Sequence, residues 1–113
     1  MFKVAIIGGE GRGDYRLFAT KCAFFLKNKV KEGITILTTG DEYVEFLSQK
    51  ANIDIKKYFV NWSEDGKDAL KNRVLRMVED CDALIIFEDG TTETKMFKHY
   101  GEKNNKPIRF VKL

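Results

Sequence analysis

Five short apolar runs, separated by segments with helical periodicity, constrain this chain more than any other feature. Phe2 to Ile7 is almost continuously apolar and stops at Gly8-Gly9; Ile34 to Thr38 stops just before Gly40. Ile55 to Val60 carries Lys56 and Lys57, Ala83 to Phe87 is the most apolar run, and Pro107 opens a fifth through Val111. Uninterrupted runs of this kind suit strands covered on both faces, as in parallel sheets. Between them lie apolar stripes at three- and four-residue spacing: Phe18, Cys22, Phe25 and Leu26 within 14–30, and Tyr43, Val44, Leu47 and Ala51 within 41–52. Leu70, Val74, Met77 and Val78 follow a helix entry at Ser63, and Met96, Phe97 and Tyr100 lie within 91–103. Each stripe buries one side of a helix.

Strict alternation of strand and helix with short connections predicts an α/β protein of three layers, a Rossmann-like fold. Its five-stranded parallel sheet takes the order 3-2-1-4-5, with helices on both faces. The two lysines mark the third strand as an edge, and the fourth strand is expected to be central. The chain of 113 residues shows no linker, repeat or low-complexity tract, so residues 1–113 are expected to form one domain.

Twenty Lys and Arg stand against 17 Asp and Glu, a net charge of +3, and the two signs interleave, as in Lys95, Lys98, Glu102 and Lys103. Such a surface is chiefly a solvated one; the balance argues against a nucleic-acid partner and leaves a modest attraction for an anionic small molecule. Cys22 and Cys81 sit inside apolar patterns, which favours two structural thiols in a reducing compartment over a disulfide. The chain opens on a strand rather than a signal peptide, and no apolar run approaches the ~20 residues that span a bilayer. These features predict a cytoplasmic protein, in a bacterial cytosol or a phage-infected host cell, with no membrane partner. No Cys or His cluster has metal-ligand spacing, so neither a metal nor a required cofactor is expected. His99 is expected on the surface.

With the predicted strand order, the ligand position lies beyond the carboxyl ends of strands one and four, where the order reverses. The first loop reads Gly8-Gly9-Glu10-Gly11-Arg12-Gly13-Asp14. Its glycines let backbone N–H groups approach a phosphate, Arg12 adds a charge, and Asp14 ends the loop; the same glycines also suit a plain strand-to-helix turn. The loop after strand four reads Glu88-Asp89-Gly90-Thr91-Thr92-Glu93-Thr94. Thr91, Thr92 and Thr94 either form a second anion cradle at a helix start or only cap that helix. Thr38 to Asp41, with Gly40, and Asn61 to Lys67 flank the position. Trp62 either stacks on a base or packs at the rim of the core, and Arg73 either turns toward the site or lies along its helix.

From Lys57 to Val111 the chain resembles the YspA/YpsA-like branch of the SLOG superfamily, Rossmann-like proteins related to the lysine-decarboxylase-like phosphoribohydrolases and to DprA. Trp62, Gly66-Lys67, Ala69, Arg73, Met77, Asp82 to Phe87, Asp89-Gly90, Thr94 and Lys106-Pro107-Ile108 carry the resemblance, and Gly8-Gly9 and Gly40 match earlier glycine positions. It implies a nucleotide-derived ligand, such as an ADP-ribose-like molecule or a cyclic nucleotide, and adds Lys67 and Arg73 to the ligand-binding candidates. It also marks the departures. Leu70 replaces a Gly, Val74 an Asn, and Glu93 the Gly of a Gly-Thr pair, while Glu45 best matches an acidic position on helix two. Phe97 stands where the phosphoribohydrolase relatives have a catalytic Glu.

The resulting expectation is a protein that binds, senses or sequesters a phosphate-bearing nucleotide derivative without cleaving it. The alternative is a nucleotide-processing hydrolase using Glu45 or Asp89, with Asp14 and Glu93 as further carboxylates; a third is a DNA- or protein-interaction module. Phe18, Phe24 and Phe25 crowd more than one side of helix one, which predicts a homodimer.

Overall fold

In a computed structural model, residues 1–8 and 14–112 are described. The elements run β1 (Phe2–Ile7), α1 (Tyr15–Leu26), β2 (Ile34–Thr38), α2 (Glu42–Ala51), β3 (Asp54–Lys57), α3 (Trp62–Asp65), α4 (Ala69–Asp80), β4 (Ala83–Glu88), α5 (Thr92–Lys103) and β5 (Ile108–Lys112). The strands form one parallel sheet in the order β3-β2-β1-β4-β5. The predicted fold and strand order are those observed, with β1 central, β4 beside it, and the lysine-bearing β3 at an edge.

Alternate side chains of the inner strands supply the two faces. Val4, Ile6, Ile36, Ile85 and Phe87 pack with Phe18, Cys22 and Leu26 of α1 and Val44 and Leu47 of α2. Ala5, Ile7, Leu37, Leu84 and Ile86 pack with Val74, Met77 and Val78 of α4 and Phe97 of α5. Cys22 and Cys81 therefore lie in separate clusters, both as buried free thiols. Burial pushes Cys22 up to about 12 and Cys81 up to about 11, which keeps both protonated and unreactive at neutral pH. On α1, Phe18 is buried and Phe25 half-buried, while Phe24 is exposed. No helix among the described residues is long and apolar enough to cross a membrane.

Several boundaries differ from the sequence expectation. The third strand starts at Asp54 and ends at Lys57 rather than Val60, because Tyr58 turns into the core and its hydroxyl donates to Asp80 Oδ2 at 2.6 Å. The segment from Ser63 is not one helix. The short α3 stops at Gly66, whose φ of +56° breaks the helical path, and a 3-10 turn over Gly66–Asp68 leads into α4. Helix one ends at Leu26, short of 30.

The β1–β4 contact is fixed at both ends. Lys3 N–H donates to Asp82 Oδ2 at 2.8 Å, and Asp82 N–H returns a bond to Lys3 O at 2.7 Å. At the carboxyl end Gly8 has φ +81°, and a Cβ there would collide with the Phe87 carbonyl oxygen. Replacing Gly8 combines an unfavourable left-handed backbone with backbone overlap, each costing roughly 1–3 kcal/mol. Gly8→Ala is therefore expected to lose about 2–4 kcal/mol of stability, read as a lower midpoint in denaturant at unchanged slope.

Candidate functional site

The ends of β1, β2 and β4 frame a cleft of about 440 Å³ lined by Ile7, Gly8, Thr39, Gly40, Asp41, Asp89, Thr91, Glu93 and Thr94. It lies at the reversal of strand order, where α1 and α2 leave one face of the sheet and α4 and α5 the other.

Each wall is built by local hydrogen bonding. At the end of β2 the fully buried Thr38 hydroxyl accepts from Gly40 N–H at 3.1 Å and Asp41 N–H at 3.4 Å, which turns the chain sharply. Gly40 makes that turn with φ +103°, its Cα facing open space. Asp41 then caps α2, its Oδ1 accepting from Tyr43 N–H at 2.9 Å and Val44 N–H at 3.4 Å.

The β4 wall is organised around Asp89. Its Oδ1 accepts from Thr91 N–H at 2.9 Å, Thr91 Oγ1 at 2.6 Å and Thr94 Oγ1 at 3.1 Å. Thr91 caps α5 by accepting from Thr94 N–H at 3.3 Å. The hydroxyls and amides of Thr91 and Thr94 are thus engaged within the loop, as capping requires. Burial pushes the Asp89 carboxyl up, but donation from the Thr91 hydroxyl and N–H and the Thr94 hydroxyl outweighs it and holds the group below its ordinary value of 3.8. A carboxylate this firmly ionised is an acceptor and an organiser of the loop, and is poorly matched to proton transfer near pH 7.

Glu93, in the first turn of α5, lines the cleft and accepts from Arg73 Nη2 at 3.2 Å. Arg73 stands behind it on α4. Among the described lining residues there are three carboxylates, Asp41, Asp89 and Glu93, and no cation.

The structure therefore brings together Gly8, Gly40, Asp89, Thr91 and Thr94, and joins Arg73 to them through Glu93. Gly90 and Thr92 are exposed in the same loop but do not line the cleft. Asp14 caps α1, its Oδ1 accepting from Arg16 N–H at 2.8 Å. Trp62 is 59% exposed at the start of α3, and Lys67 is exposed in the following 3-10 turn; neither lines the cleft. Glu45 is likewise apart from it, paired with Lys57. Gly9, Gly11 and Arg12 lie outside the described residues. Thr39 and Asp41 fall in the flanking segment Thr38 to Asp41, whereas Ile7 was not singled out from sequence.

No protein-family model matches the chain, and no curated protein matches it. Solved structures do. The fold is Rossmann-like. The X-ray structure of TM1055, a structural genomics target, superposes with a TM-score of 0.69 at 16% identity, over 96% of this chain and 72% of that one. Alr3699/HepE of Anabaena, solved in complex with UDP and glucose, superposes with a TM-score of 0.57 at 13% identity, over 97% of this chain and 29% of that one.

Two substitutions separate the parts of this site. Asp89→Ala is expected to cost about 1–2 kcal/mol at pH 7 by leaving the Thr91 and Thr94 donors without their acceptor. Because the folded-state value of Asp89 is depressed, its charge stabilises the fold above the ordinary 3.8 and that contribution is lost as pH falls through the lower folded value. The difference in melting temperature between variant and parent should accordingly shrink below that pH. Glu45→Gln breaks a pair whose side chains are 33% and 43% exposed, so it should cost less than about 1 kcal/mol and leave ligand titrations at the cleft unchanged.

Proposed function

We propose that this protein binds a nucleotide-derived, phosphate-bearing small molecule in the cleft at the carboxyl ends of β1, β2 and β4, and that it senses or sequesters that molecule rather than cleaving it. The observation carrying this reading is the cleft itself. It opens at the strand-order reversal, where Gly8 and Gly40 line it and Gly40 faces open space, and beside the capped start of α5. Ligands of Rossmann-like sheets gather at this position. HepE, a neighbour in fold, was solved with UDP, and the sequence resemblance to the SLOG branch points to the same ligand class, with ADP-ribose-like molecules and cyclic nucleotides as first candidates.

The chemistry of the site favours binding over hydrolysis. Phe97 is fully buried in the core, so its position offers the cleft no carboxylate. Glu45 is held by Lys57 away from the cleft, and Asp89 is saturated at Oδ1 and kept ionised. Each of the three carboxylates that line the cleft already has a partner of its own: Asp41 caps α2, Asp89 anchors its loop and Glu93 pairs with Arg73.

Calorimetric titration with ADP-ribose, AMP, UDP and cyclic AMP tests the reading. At least one should bind with micromolar to millimolar affinity and return unchanged from prolonged incubation. Silence from all four at millimolar concentration would sink the binding claim, and release of free base or ribose phosphate would sink the non-catalytic one.

A further inference from the structure

Resting on the nucleotide reading above, the α5 wall of the cleft carries information about which part of the ligand it meets. Arg73 and Glu93 are unequally placed: the Arg73 side chain is 12% exposed and the Glu93 side chain 30%. Arg73 Nη2 bonds Glu93 Oε2, while Arg73 Nε is buried and has no hydrogen-bond partner among the described residues. A guanidinium offers five donors in a rigid fork, so this one leans on Glu93 for its charge compensation. Glu93 also stands in the first turn of α5, where its negative charge answers the positive end of that helix. Both features that would draw a phosphate to this wall, an arginine and a helix start, are already answered by a side chain of the protein. Asp89 on the same wall and Asp41 across the cleft add two more carboxylates.

We propose that Glu93 is the specificity-determining residue of the cleft: it keeps phosphate off the α5 wall and leaves that wall to the uncharged, hydroxyl-bearing part of the ligand, such as a ribose diol. Carboxylates only accept hydrogen bonds. Sugar hydroxyls donate to them, whereas a phosphate brings further acceptors and like charge, a repulsion that grows as water is excluded.

The test compares AMP with adenosine in titrations of the parent protein, Glu93→Gln, and the double variant Arg73→Gln/Glu93→Gln. Glutamine keeps an oxygen for Arg73 Nη2, and the double variant removes both charges together, the route by which a partly buried pair is lost at least cost. Glu93→Gln should raise the AMP-to-adenosine affinity ratio about tenfold, since the Arg73 charge is then no longer compensated and draws the phosphate. The double variant should lose that gain. Should Glu93→Gln fail to fold, Glu93→Ser carries the same expectation. A ratio unchanged within twofold, or a gain that survives removal of Arg73, overturns the assignment of Glu93 while leaving the nucleotide reading intact. Failure of the parent and every variant to bind either compound overturns the assignment of Glu93, and it overturns the nucleotide reading as well where ADP-ribose, UDP and cyclic AMP are also silent.

Discussion

Everything at the carboxyl end of the sheet depends on how closely β1 approaches β4. The two strands pair from Val4 against Ala83 to Ile7 against Ile86. Reciprocal bonds between Lys3 and Asp82 set the register at one end, and Gly8 slides under the Phe87 carbonyl at the other. A one-residue slip would exchange Ala5 and Ile7 for Val4 and Ile6 between the two core clusters, so the register is held by burial on both faces as well as by hydrogen bonds. Because β2 lies on one side of β1 and β4 on the other, the connections leaving these strands diverge to opposite faces. The cleft is the space that divergence opens.

The cleft is held in shape by polar groups that satisfy one another. Thr38, Asp41, Asp89 and Thr91 each use a side-chain oxygen to anchor backbone N–H groups at the start of a loop or helix. Such bonds make the walls rigid at little cost, since each replaces water around an otherwise orphaned donor. They also spend donors that a bare reading of threonines and glycines assigns to a ligand. What remains facing the opening on the described side is dominated by acceptors.

Most of the fold was legible in the sequence because its determinants are one-dimensional. Continuous runs such as Ala83 to Phe87 announce strands covered on both faces, and the stripe from Val74 to Val78 announces a helix with one buried side. The boundaries that shifted were set by tertiary bonds no periodicity records: Tyr58 leaves β3 to reach Asp80, twenty-two positions further on. The site was legible in part for the same reason. Gly8, Gly40 and the Asp89–Thr94 loop end strands, so strand order alone places them together. Trp62 was drawn in by its place after the third strand, and Lys67 and Glu45 by motif matching; the chain turns each of them elsewhere, Glu45 to Lys57 and Trp62 to solvent.

The contrast between Phe97 and Glu93 shows where this architecture tolerates chemical change. Phe97 points between α5 and the sheet, where its ring is fully buried against the α4 side of the core, and a carboxylate would have to be buried without a partner there. One turn earlier on the same helix, Glu93 faces the opening and meets a guanidinium from α4. The helix start can therefore exchange charge for charge at its exposed turn without disturbing the packing that positions it. Arg73 pays the structural cost of that freedom, with an Nε that has no partner among the described residues beneath the ion pair. The electrostatic character of the cleft is accordingly set at Glu93 and Arg73, one layer outside the packing that makes the cleft.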